Sequence, residues 1–194
     1  MIFRVFSDLS SFNSRELHKA MQTLPEWRLH RVEKYHFEID RKLSTIGYIL
    51  LRDILIEQYG IASLQEWEYN ADGKPYLGDY PSLHFNISHC HTGVACVVDS
   101  SPVGVDIESI RPFDLELAEH ICNSTELFEI KTSNNPAVEF TKLWTIKESY
   151  LKYLGVGLVD DLPALLNRAL EVNFQTTIYE EHGYVMTICT GESS

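Results

Sequence analysis

In the segment Pro102–Ile110, PVGVDIESI, Asp106 and Glu108 stand two residues apart in a run that Val103, Val105 and Ile107 otherwise mark as a buried strand. Side chains at i and i+2 of a strand share a face, so two carboxylates stand side by side where a core strand would carry valine or threonine. A further acidic group stands in FTKLWTIKESYLKYLG, where Glu148 shares a helical face with Trp144 and Leu151, and Lys152 follows at i+4. Alone, that Glu–Lys spacing describes a surface pair worth about 0.2–0.5 kcal/mol. The large aromatic neighbour turns Glu148 toward packed structure instead, where a carboxylate without a partner is neutralised or destabilising. A hard divalent cation would offset the repulsion among three converging carboxylates, and Mg²⁺ is commonly held by one or two carboxylates together with substrate phosphates. The chemistry implied is metal-assisted reaction at a phosphate ester or pyrophosphate.

Cations for the remaining phosphate oxygens lie between Trp27 and Lys42. Arg28, Arg31, Lys34, Arg41 and Lys42 supply five of the 16 lysines and arginines in the chain. The first three, spaced by three, fall near one face of a helix. A solvated helix face is the plain alternative, but a compact basic patch on a chain of net charge −12 is also what an anionic small ligand requires. The same net charge argues against nucleic-acid binding.

Other chemistries find little support. Cys90, Cys96, Cys122 and Cys189 show no metal-like spacing and read as reduced core residues. His84, His89 and His91 lack the further ligand pair of a zinc site. Ser88 and His89 are neighbours in sequence, which does not make a nucleophile and base without a third group, so a phosphate contact is the better reading of His89. There is no P-loop, kinase signature, G-x-G-x-x-G or G-x-S-x-G. No apolar run approaches the roughly 20 residues of a membrane span, and MIFRVFSDLS has no leader pattern. A cytoplasmic protein without a membrane partner is expected.

The elements that must position these groups follow from pattern. IFRVF, SLHFNIS, GVACVVDS and VGVDIES read as strands, and DRKLSTIGYILLRDILIEQYG as a long amphipathic helix ending at Gly60. ADGKPYL is a turn. LELAEHICNSTELFEI suggests a helix broken at NST, with Ser124 or Thr125 capping the new turn. Pro136 then opens a second long helix that ends at Gly155, and LEVNF, TTIYE and YVMTICT read as closing strands. Each half thus offers one long helix with several strands, an α+β pattern with a joint near residues 98–104, where a ligand could sit.

The ordered set GKPYL, HFNISHC, VGVDIES and LWTIKESYLKYLGVGL resembles the Sfp-type 4′-phosphopantetheinyl transferases, from about Glu26 to Leu158. The resemblance implies two similar α/β halves, 1–100 and 101–194, related by a pseudo-twofold with the active site at their interface. The first half would bind coenzyme A and the second carry the metal and catalytic residues. It implies Mg²⁺-dependent transfer of the phosphopantetheine arm from coenzyme A to a serine of an apo carrier protein, with 3′,5′-ADP as the other product. Position by position, Asp106, Glu108 and Glu148 match the metal ligands and Lys152 the lysine on the pyrophosphate. Ser88 and His89 match nucleotide-phosphate contacts, and Lys74 a residue lining the coenzyme site. Asp106, Glu148 and Lys152 form the expected catalytic set, Glu148 serving as base toward the carrier serine directly or through a metal-bound water. Close relatives carry PEKREK, whose lysines meet the 3′-phosphate. Here PEWRLHR puts Trp27 and His30 at those positions, with Arg28 and Arg31 one residue displaced. Leu43 likewise stands where the family has an arginine, leaving Arg41 or Lys42 to substitute. A single chain supplies both halves, so a monomer suffices. The rival readings are a metal-dependent phosphohydrolase and an inert binder of coenzyme A or of a carrier.

Overall fold

The computed structural model describes residues 1–192, so positions 193 and 194 of the expected second half lie outside the described residues. The first half runs β1 (Ile2–Phe6), α1 (Ser14–Met21), α2 (Glu26–Glu33), α3 (Glu38–Tyr59), a short hairpin of β2 (Glu68–Tyr69) and β3 (Pro75–Tyr76), β4 (His84–His89) and β5 (Val94–Asp99). The second runs β6 (Val103–Ser109), α4 (Leu115–Ile121), α5 (Ser124–Thr132), α6 (Pro136–Leu154), β7 (Val172–Tyr179) and β8 (Tyr184–Gly191). Each half is a strand, a long helix and a closing antiparallel pair, and each sheet places its last strand in the middle: β1-β5-β4 and β6-β8-β7. One plan is used twice, and the α+β architecture of two similar halves holds.

The long helices start and stop where side-chain chemistry dictates. Gly60 (φ 69°) and Gly155 (φ 74°) end α3 and α6 in the left-handed conformation that only glycine adopts cheaply. Asn135 caps α6 and Pro136 occupies its first turn. At NST the cap is Asn123, not Ser124 or Thr125: its side chain accepts from the amides of Thr125 and Glu126, and Glu126 returns to the Asn123 amide. That reciprocal capping box satisfies two donors at once, which a lone hydroxyl would not. LEVNF and TTIYE are one continuous strand, β7, because every residue from Val172 to Tyr179 finds a partner on β8.

The halves share a core. Val103, Val105 and Ile107 of β6 are fully buried with Ala95 and Val97 of β5 and Met186 and Ile188 of β8. Asn86 of β4 accepts a buried 2.9 Å hydrogen bond from the Val105 amide, tying one sheet to the other. The opposite face of β6 carries Gly104, Asp106 and Glu108 against α6. A Cβ at Gly104 would lie 2.1 Å from the Ser149 carbonyl oxygen and 2.4 Å from the Tyr153 amide nitrogen, so glycine alone admits this approach.

Lys147, inside the sequence motif of α6, is fully buried and donates to the carbonyls of Ile121 (2.8 Å) and Leu162 (2.9 Å) and to the Glu126 carboxylate (2.8 Å). It pins α4, α5 and the segment around residue 162 to α6, a structural task. Lys147→Met strands one carboxylate and two carbonyls, and should cost about 3–5 kcal/mol in urea unfolding. No helix among the described residues is long and apolar enough to cross a membrane.

Candidate active site

The period-2 geometry of β6 carries Asp106 and Glu108 to the α6 side, and the 3.6 period of α6 brings Glu148 and Lys152 to meet them. Asp106 is 2% exposed. Its Oδ1 accepts from Lys152 Nζ at 2.5 Å and from Ser88 Oγ at 2.9 Å, and Lys152 Nζ also reaches Ser88 Oγ at 2.9 Å. Ser88 belongs to β4, so this triangle is closed by both halves. Helical spacing offered Glu148 as the partner of Lys152; the ammonium pairs with Asp106 instead, across the joint.

Glu108 and Glu148 are half-buried, and burial raises the pKa of both. The Asp106 charge pushes each further up. The Trp144 indole opposes this at Glu108, and Lys152 opposes it at Glu148. Among the described residues no group of three or more His, Cys, Asp or Glu side chains is closed around one point as a metal cage. The donors nevertheless suit a hard cation. Asp106 Oδ2 is buried with no hydrogen-bond partner, and two further carboxylates share its field with one ammonium to balance three acids.

Beside the triangle opens a cavity of about 230 Å³, walled by Arg28, Arg31, Tyr35, Asp40, Leu43, Ser44, Asn86 and His89 with Trp67 and Pro75. Arg28 is 5% exposed. Its guanidinium lies 4.5 Å over the Trp67 ring and donates to the backbone and side-chain oxygens of Ser44, both at 2.8 Å. Burial lowers its pKa to about 10, and its Nε has no partner. Arg31 lies over the Tyr69 ring and donates to its hydroxyl. His89 stands at the exposed rim, its pKa lowered first by the protein packed round the ring and then by the Lys152 charge.

Of the sequence candidates, Ser88, Asp106 and Lys152 thus form one contact, with Glu108 and Glu148 in its field, and Arg28, Arg31 and His89 wall the cavity. Arg41 donates to the Tyr35 carbonyl (2.8 Å) and Lys42 pairs with Glu38 (3.0 Å), outside the cavity wall. The Lys74 ammonium is turned onto carbonyls of Val103, Lys152 and Tyr153. Trp27 packs edge-on against Tyr48 and Trp67. Sequence reading missed Ser44, Trp67 and Asn86. Asn86 carried a usable signal, an amide inside an otherwise apolar strand; the other two carried none.

Comparison with known proteins adds the lineage. Residues 102–189 match the 4'-phosphopantetheinyl transferase superfamily, and residues 11–102 match the family described as 4'-phosphopantetheinyl transferase, N-terminal. The chain is 32% identical over 174 residues to 4'-phosphopantetheinyl transferase psf-1 of Bacillus pumilus, covering 81% of this chain and 75% of that protein. It is 28% identical to 4'-phosphopantetheinyl transferase Sfp of Bacillus subtilis (strain 168), covering 97% and 91%. With 4'-phosphopantetheinyl transferase HetI of Nostoc it shares 34% identity, covering 74% and 64%. The chain belongs to the 4'-phosphopantetheinyl transferase superfamily and is a transferase of that class.

Proposed function

We propose that the protein transfers the 4′-phosphopantetheine arm of coenzyme A to a serine of an apo acyl or peptidyl carrier protein, giving holo carrier and 3′,5′-ADP. One convergence supports the reading above all. Ser88 and Lys152, one from each half, meet on Asp106, and the next residue along β4, His89, lines a cavity holding a buried arginine without a carboxylate partner. Asp106, Glu108 and Glu148 would hold Mg²⁺, which when bound supplies positive charge against their repulsion and against charge building on the leaving bisphosphate. Lys152 grips the pyrophosphate, and Asp106 and Ser88 fix where its ammonium stands. His89 donates an N–H to a phosphate oxygen. Arg28 and Arg31 take the nucleotide's further phosphate, the task their displacement from the family's lysine positions leaves to them. Among the described residues Glu148 makes no salt bridge, and it takes the proton from the carrier serine directly or through a bound water.

The halves are 1–100 and 101–194, a monomer contains the whole site, and four buried free cysteines suit a reducing, cytoplasmic setting. Arg28→Met keeps an apolar body on Trp67 but removes the charge. It should weaken coenzyme A binding by about 10- to 100-fold, the size of one charge-assisted contact, when measured by calorimetry. The function itself is tested by incubating the protein with coenzyme A, Mg²⁺ and apo acyl and peptidyl carrier proteins and weighing the carriers. A phosphopantetheine adduct on serine supports transfer. Phosphate release without adduct would mean a hydrolase, and tight coenzyme binding without either product would mean an inert binder.

A further inference from the structure

The C-terminal turn of α6 is closed by the other half of the molecule. The last carbonyls of a helix have no intrahelical donor and must find one elsewhere. Lys74, at the end of the turn between β2 and β3, directs its ammonium at three of the oxygens gathered here. These are the carbonyls of Lys152 and Tyr153 in the last turn of α6 and that of Val103 at the start of β6, the last at 3.0 Å. Three N–H groups face three carbonyls, and a cation stands at the negative end of the helix dipole. Asn70 completes the contact: its Nδ2 donates to the Gly155 carbonyl at 2.8 Å, while its Oδ1 accepts from the Lys74 amide at 2.7 Å and holds the turn. The fit is flush, since a Cβ at Gly155 would lie 3.2 Å from both Asn70 Nδ2 and Lys74 Cδ.

We propose that Lys74, held by Asn70, is a positioning residue: it caps the helix that carries Glu148 and Lys152 and so fixes where both stand against Asp106. Its neighbour Pro75 faces the cavity while the Lys74 ammonium is spent on the opposite half, so the hairpin joins the cavity wall to the catalytic helix. Burial lowers the Lys74 pKa to about 8, which leaves the ammonium charged at neutral pH. The inference rests on the proposed roles of Lys152 and Glu148, and it differs from a coenzyme-contact role for Lys74.

Lys74→Met and Lys74→Arg separate the two roles. Lys74→Met should lower kcat for carrier modification by about 10- to 100-fold, the effect of a displacement near an ångström. It should leave the coenzyme A dissociation constant, measured by calorimetry, within about threefold. Hydrogen exchange should quicken at the Gly155 and Val156 amides, both bonded to the Leu151 carbonyl, and not in β8. Lys74→Arg, which keeps the donors, should recover most of the rate, and Asn70→Ala should move the same two amides less. A coenzyme dissociation constant raised about tenfold with kcat unchanged would overturn the proposal. So would exchange that quickens uniformly, or not at all. If the unmodified protein transfers nothing, the function reading fails, and exchange at Gly155 and Val156 still decides the capping role.

Discussion

Asp106→Asn is expected to reduce transfer by about 10³-fold, close to 4 kcal/mol of lost transition-state stabilisation, while the protein stays folded. The substitution keeps the shape of the side chain and one acceptor oxygen facing the Ser88 hydroxyl and the Lys152 ammonium, so the packing at position 106 is preserved. What disappears is the charge. Three functions depend on it: holding the Lys152 ammonium at the joint, offering the buried, unpartnered Oδ2 to a hard cation, and setting the field felt by Glu108 and Glu148. Circular dichroism and urea midpoints should be little altered, and kcat/KM should carry the loss. Near-full activity in this variant would remove the Asp106 carboxylate from the mechanism.

Gly104→Ala should do comparable damage without touching a polar group. The new methyl would meet backbone on three sides, 2.1 Å from the Ser149 oxygen, 2.4 Å from the Tyr153 nitrogen and 3.0 Å from the Lys152 carbonyl carbon. No rotamer relieves a clash with backbone, so α6 must move off β6 by an appreciable fraction of an ångström. Overpacking of this kind costs roughly 3 kcal/mol or more, and displacing Lys152 and Glu148 should slow transfer by about 10²-fold. Gly157→Ala is the control, because nothing lies within 4 Å of the Cβ it would add. Urea unfolding and transfer rate should both respond at Gly104 and neither at Gly157.

The carboxylate face was legible because it rests on short-range periodicity. Two residues along β6 and four along α6 fix directions that tertiary packing does not alter. The long helices were legible from their glycine and proline punctuation. Local spacing did not reveal which partner a charge would choose. Lys152 stands one turn from Glu148 yet pairs with Asp106, because β6 approaches α6 where Gly104 lets it. Arg28 and Arg31 were placed on one helical face, but Arg28 is drawn inward by Trp67 and Ser44, residues with no sequence signal linking them to it. Arg41 and Lys42 looked available for a phosphate and are engaged nearby by the Tyr35 carbonyl and Glu38. The break at NST was visible, but its cap is Asn123 and not Ser124 or Thr125, because the reciprocal bond from Glu126 decides it.

Metal-assisted transfer at the joint between the halves is tested directly by one measurement. The protein is stripped of metal with chelator, mixed with coenzyme A and an apo carrier, and the intact carrier is weighed before and after Mg²⁺ is restored. No phosphopantetheine adduct is expected without the metal, and stoichiometric adduct on the carrier serine with it, accompanied by 3′,5′-ADP. Adduct formed equally well in chelator, or coenzyme A consumed with the carrier mass unchanged, would contradict it.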